Sequence, residues 1–177
     1  AALGDATDDE LAAMRGEAGA DIRLNPLKIS NRHKLRDKLA GRGMACHLTK
    51  LSPLGIRMTK RVRTDETQEF RNGLFEIQDE ASQIAALLCD ARPGMQVADI
   101  CAGAAGKSLV MAAAMENRGR IVALDTDPER LERGAVRIRR AGIHNIERVA
   151  VSDDWGVKRY RGKFDRVVID APCTGSG

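Results

Sequence analysis

Three groups of residues could do chemistry together. The first is Cys101-Ala102-Gly103-Ala104-Ala105-Gly106-Lys107, a run of small side chains ended by a cation. The second is Asp125, which closes the apolar run Ile121-Val-Ala-Leu124, and the third is Asp170-Ala-Pro-Cys173. Gly103 and Gly106 let the backbone bend sharply and approach a ligand, because no Cβ intervenes. A helix opening at about Lys107 adds free N–H groups and the positive end of its dipole, which suit an anionic group. A carboxylate at a strand end can accept both hydroxyls of a ribose. A cysteine in the loop after a strand offers a thiol for chemistry.

The spelling of the loop separates three ligand classes. Gly106-Lys107-Ser108 fits the tail of a phosphate-cradling G-x-x-x-x-G-K-[ST] loop, but Cys101 stands where that loop needs its first glycine. The same residue breaks the dinucleotide pattern G-x-G-x-x-G. A small-residue loop followed by a strand-end acid suits S-adenosylmethionine, with the loop at its amino-acid end and Asp125 at its ribose.

The elements that must position these groups alternate from residue 96 onward. The pattern predicts strands over 96–101, 121–125, 146–151 and 164–170, with helices over 107–117 and from Asp127 to a stop at Gly142. Pro128 sits at the first helical position, where a missing N–H does no harm. This α/β alternation predicts a parallel, doubly wound sheet that gathers the loops at its carboxyl edge. The helix after Asp127 is expected to bury Leu131, Ala135 and Ile138 and to hold Arg130, Arg133, Arg137 and Arg140 in solvent. Upstream, a helix over 8–18 with Leu11 and Met14 inward precedes a strand at 21–28 and a helix from Ser30 or Asn31 through Leu39. Short strands at 45–50 and 54–59 complete a small α/β module over 1–60. Residues 61–72 have a linker's composition, and the remainder, 73–177, forms the ligand-binding unit. It opens with an extended run over 73–78 and a helix from Asp79 to Cys89, with Ile84, Leu87 and Leu88 inward.

Charge is unevenly spread. Residues 1–21 hold one basic and six acidic residues, residues 22–71 thirteen basic and four acidic, and residues 72–177 fifteen of each. The basic segment beside a neutral ligand-binding segment suits a polyanion, with Arg23, Lys28, Arg32, Lys34, Arg36, Lys38, Arg42, Lys50 and Arg57 as its cations. Aromatic residues are 3% of the chain, which argues against a base-stacking platform. The four cysteines form no C-x-x-C pair, and His33, His47 and His144 have no partners at ligand spacing, so no metal site or disulfide framework is expected. Cys46 and Cys89 are expected in the core. No long apolar run or signal pattern is evident, so no membrane partner is expected and the cytoplasm is the default location.

Phe164-Asp-Arg, followed by Asp170-Ala-Pro-Cys-Thr-Gly-Ser-Gly177, resembles the signature of the RNA cytosine-C5 methyltransferases, the bacterial ribosomal RNA enzymes and their nucleolar relatives. Asp99-Ile-Cys-Ala-Gly-Ala-Ala-Gly-Lys107 is similar to that family's cofactor loop. Gly73-Leu-Phe-Glu-Ile-Gln-Asp-Glu-Ala-Ser-Gln83 is similar to the lead into its catalytic domain, and Arg23-Leu-Asn25 to a motif of its RNA-binding module. Four motifs in order cover most of the chain from about residue 20.

The resemblance implies a Rossmann-like class I methyltransferase sheet behind a basic RNA-binding module. It implies S-adenosylmethionine as cofactor and RNA, ribosomal RNA foremost, as partner. Cys101 through Lys107 would hold the methionine part, Asp125 the ribose and Asp153, or else Asp154, the adenine, with Asp170 approaching both cofactor and base. In such enzymes a thiolate adds to C6 of cytosine so that C5 can take the methyl group. The cysteine matching Cys173 assists release, while the attacking cysteine lies in a later motif not found in residues 1–177. Family members carry proline and glycine where this chain has Ala104 and Ala105. The apolar run Val167-Val168-Ile169 suits a strand buried on both faces, so further chain is expected after Gly177. Two other readings are open from the residues: an RNA-binding protein that keeps the fold without turnover, and a nucleoside-triphosphate protein built on Gly106-Lys107-Ser108.

Overall fold

The computed structural model describes residues 7–14, 20–60, 63–152 and 158–171. Helix α1 (Thr7–Met14) comes first. Leu11 in it is half exposed rather than inward. Met14's side chain lies outside the described residues. The first sheet then forms from β1 (Ala20–Leu24), β2 (Cys46–Leu48), β3 (Gly55–Met58) and β4 (Phe75–Ile77), in the order β2-β3-β1-β4. All its pairings are antiparallel. Helix α2 (Arg32–Ala40) packs on it, capped by Asn31, whose side chain accepts from the His33 N–H. Ile22, Leu24, Leu35, Leu39, Ile56, Met58 and Phe75 make the core between them. The linker-like stretch is structured in part. A 3₁₀ turn at Thr64–Glu66 and α3 (Gln68–Arg71) lead into β4, with the Thr67 hydroxyl capping α3.

Helix α4 (Glu80–Leu88) is capped by Asp79. It turns Gln83 and Ala86 inward and leaves Leu88 79% exposed. Here a polar network outcompetes the apolar pattern. Gln83 accepts from the Ser52 hydroxyl and donates to the Gln78 carbonyl, so its amide is satisfied inside.

The second sheet is β5 (Gln96–Ile100), β6 (Arg120–Asp125), β7 (Ile146–Ala150) and β8 (Arg166–Ile169). It is parallel throughout, in the order β7-β6-β5-β8. Helices α5 (Gly106–Ala114) and α6 (Pro128–Ala141) are its crossovers. Asp127 accepts from the Glu129 and Arg130 N–H groups, and Gly142 ends α6 at φ 73°. Because side chains alternate along a strand, β5 sends Val97 and Asp99 to the α5 face and Ala98 and Ile100 to the other. Val167 and Ile169 on β8 are more than half exposed, so this run is not covered on both faces among the described residues.

The two sheets are joined through the end of α6. Asn25, buried, donates to the carbonyls of Gly73 and Ala141, each at 2.9 Å. Lys28 donates to the carbonyls of Asn72 and Arg140. Glu76 on β4 accepts from both Arg137 and Arg140. These two arginines are therefore half-buried partners of a carboxylate, not members of a solvated face. Arg23, offered as a phosphate contact, is 2% exposed, with its Nε on Gln78 Oε1. Burial lowers its pKa to about 10 despite the nearby Glu76 carboxylate. Arg57 forms a two-toothed pair with Asp21. No helix among the described residues is long and apolar enough to cross a membrane.

Candidate cofactor site

All four strands of the second sheet run the same way, so the turns after Ile100, Asp125 and Ile169 meet at one edge. The turn after β5 holds three left-handed residues: Cys101 at φ 62°, Gly103 at 55° and Ala105 at 62°. Only glycine adopts that region without steric cost. The surroundings fix the others. The Ala102 N–H donates to the Leu124 carbonyl, the Gly103 N–H to Asp125 Oδ2 at 2.7 Å, and Arg137 Nη1 to the Ala104 carbonyl at 3.0 Å. A Cβ built on Gly103 meets nothing within 4 Å, so that side of the loop is open.

Helix α5 starts immediately after the loop, and no side chain caps it. Its opening turn therefore presents backbone donors and a positive dipole end beside a cavity of about 540 Å³. Cys101, Ala102, Gly103, Gly106, Lys107 and Asp170 line that cavity. Lys107 Nζ lies 2.5 Å from Asp170 Oδ2, which brings together the ends of two of the three sequence groups. Ala104 and Ala105 shape the loop without lining the cavity, and Ala105 is fully buried. Asp125 is nearly buried, and its second oxygen accepts from the Asp127 N–H. Each of its oxygens thus already holds backbone. Asp153, Asp154 and Cys173 lie outside the described residues.

Six polar residues of the cavity wall, Asp99 and Arg130 among them, escaped the sequence reading. Gln78, Asp79 and Ser82 reach the cavity from the β4–α4 junction, and Arg137 from α6. Burial raises the Asp79 carboxyl, but the Ser82 N–H and hydroxyl, with Lys107 nearby, outweigh it and hold the group below the usual range. Asp99, 1% exposed beneath the loop, accepts from the Ser108 hydroxyl. Burial pushes its pKa up to about 6, against the lowering by Ser108 and Lys107. A lone acid inside an apolar strand was the available signal for Asp99. For Arg137 there was none, because its partners come from β4 and the loop.

The pairing of Ser108 with Asp99 bears on the nucleotide reading. Ser108 is fully buried, so Gly106-Lys107-Ser108 offers the cavity no metal-ligating hydroxyl. Among the described residues no group of three or more His, Cys, Asp or Glu side chains could hold a metal ion. An apolar cavity of about 550 Å³ lies on the other face of the sheet, walled by Ala98, Ile100, Leu124, Tyr160 and Phe164, and brings no acid or base from the loop.

Backbone donors at a helix start, small residues on the loop side and a paired cation give the cavity a place for a ligand with an anionic end. A family model for the 16S rRNA methyltransferases RsmB/F matches residues 86–177. The probable ribosomal RNA small subunit methyltransferase B of Bacillus subtilis is 29% identical over 157 residues, covering 88% of this chain and 35% of the relative. The human 28S rRNA (cytosine(4447)-C(5))-methyltransferase is 30% identical over 163 residues, 88% of this chain and 19% of that protein. A methyltransferase homologue from Pyrococcus horikoshii superposes with a TM-score of 0.86 at 32% identity, over 98% of this chain and 57% of the other. The chain thus spans about a third or less of these two curated relatives.

Proposed function

The chain belongs to the 16S rRNA methyltransferase RsmB/F family, and from that premise we propose that the protein transfers a methyl group from S-adenosylmethionine to C5 of a cytosine in RNA, ribosomal RNA foremost. The observation that carries this reading is the single cavity shared by the 101–107 loop, the opening turn of α5 and Asp170.

S-adenosylmethionine supplies an electrophilic methyl group on a sulfonium. The loop backbone and Lys107 would hold its carboxylate end; Asp125 fixes the loop through Gly103 and would offer its remaining lone pairs to the ribose. Asp153, which follows β7 in the sequence, would be the residue for the adenine. Asp170, oriented by Lys107, would face the cofactor and the target base. C5 of cytosine is a poor nucleophile until a thiolate adds to C6 and breaks the ring's aromaticity. The methyl group would then pass from the sulfonium to C5, leaving the thioether, and loss of the C5 proton to a base with expulsion of the thiolate from C6 would restore the ring. Cys173, three residues past Asp170, is assigned to that release. The base must leave its stack for two reagents to reach it.

The basic module, expected over 1–60 but with β4 (Phe75–Ile77) completing its sheet, holds the RNA backbone through Lys34, Lys38 and Lys50, all exposed. A cytoplasmic place of action suits this substrate. Incubation of the full-length protein, which must include the later motif with the attacking cysteine, with methyl-labelled S-adenosylmethionine and ribosomal RNA, followed by digestion to nucleosides, tests the reading. Label in 5-methylcytidine is expected. Label in another nucleoside overturns the reading, and RNA binding without transfer replaces it with a non-catalytic role.

A further inference from the structure

Arg137 hydrogen-bonds both the first sheet and the loop over the cavity. Its Nε donates to Glu76 Oε2 at 3.0 Å and its Nη1 to the Ala104 carbonyl at 3.0 Å. Glu76 is 2% exposed and sits opposite Arg23 in the β1–β4 register. Arg140 takes its other oxygen, at 2.5 Å, and lies over the Phe70 ring, 3.8 Å from its centroid. A carboxylate so enclosed fixes the guanidinium that reaches it, because the planar fork allows few arrangements.

The far end of that fork holds a strained element. Ala104 lies between Gly103 and Ala105, both left-handed, and a non-glycine residue stays there only where its surroundings over-determine it. Asp125 fixes the loop through the Gly103 N–H, and Arg137 fixes it through the next carbonyl. Gly134 permits the approach of α6, since a Cβ there would come within 3.3 Å of Ala104 C and Ala105 Cβ.

We infer that Arg137 is a positioning residue for the cofactor loop and that Glu76, acting through it, makes cofactor affinity depend on the first sheet. The inference rests on the reading of the cavity as an S-adenosylmethionine site. A ligand-held loop thereby favours one setting of β4, and a change at β4 loosens the loop, because such coupling is reciprocal.

The test combines calorimetry with S-adenosylmethionine and amide exchange, well below the melting temperature, on the chain and its R137M, E76Q and doubly substituted variants. R137M is expected to weaken cofactor binding about tenfold, as loss of one charge-assisted hydrogen bond implies. E76Q is expected to weaken it about threefold, with the double variant no worse than R137M. Amides of 104–107 should exchange faster in R137M while those of Ile22 and Arg23 do not, a pattern that general destabilisation does not produce. R137K, whose single ammonium does not serve both acceptors, should resemble R137M and guards against a misfolded R137M. Additive losses, or wild-type affinity in R137K, overturn the inference. If the unaltered chain binds no S-adenosylmethionine, the cofactor reading fails, and loop exchange alone decides whether Arg137 positions the loop.

Discussion

Asn25, the residue after β1, donates a 2.9 Å hydrogen bond to the carbonyl of Ala141, the last residue of α6, 116 positions away in the chain. Its other amide hydrogen serves Gly73, so one buried side chain satisfies two carbonyls at the junction of the sheets. Asn25→Ala leaves both acceptors unpaired and is expected to cost about 2–4 kcal/mol, read as a shift in urea midpoint. Asn25→Asp should cost more, since a carboxylate donates nothing and repels both oxygens.

Asp99 gives the chain a pH signature. Its folded pKa is raised from 3.8 to about 6, mainly by burial, so between those values the native state holds more protons than the unfolded chain. The stability this provides is present below about pH 4 and is lost as pH rises through about 6, amounting to up to about 3 kcal/mol. Asp99→Asn keeps an acceptor for Ser108 and removes the ionisation. Denaturation at pH 4.5, 5.5 and 7 should therefore show the variant gaining on the parent chain as pH rises. A constant difference across that range would refute the assignment.

Much of the second sheet was legible in sequence because its strands are apolar runs punctuated by clear stops. Asp127-Pro128 and Gly142 bounded α6 to the residue. What could not be read was partnership across the sheets. Arg137 and Arg140 look like a solvated stripe on α6, and only Glu76, sixty residues earlier, makes them internal. Arg23 looked like a phosphate contact for the same reason. Leu88 followed the helical period but yielded its place to Gln83, whose amide finds partners on Ser52 and Gln78. Of the site residues, Cys101, Ala102, Gly103, Gly106, Lys107 and Asp170 meet at one cavity, whereas Ala104 and Ala105 only shape the loop and Asp125 acts first on its backbone.

Asp125→Asn should separate loop support from ligand contact. Its two oxygens accept from Gly103 and Asp127, and an amide presents a donor to one of them. Loss of a charge-assisted bond and a donor–donor clash should weaken S-adenosylmethionine at least about tenfold. Isothermal titration reads this directly, and unchanged affinity would remove Asp125 from the site.

Binding to RNA should weaken steeply with salt as counterions are released. Lys34→Ala and Lys38→Ala should each flatten the log–log slope by about one. Arg23→Met should not, because Arg23 is enclosed between β4 and Gln78. Filter binding between 50 and 300 mM salt, with these concentrations set by the roughly thousandfold range such contacts span, distinguishes the two kinds of arginine and lysine.

The central claim is that the bend at 101–107 receives S-adenosylmethionine, and titration of the chain with that molecule and with ATP tests it most directly. Gly103→Val places a branched side chain at φ 55° on the open side of the loop without entering the core. The account predicts one S-adenosylmethionine bound per chain, no heat from ATP, and affinity reduced at least about tenfold in Gly103→Val. Binding of ATP in preference, or S-adenosylmethionine affinity indifferent to that substitution, would contradict it.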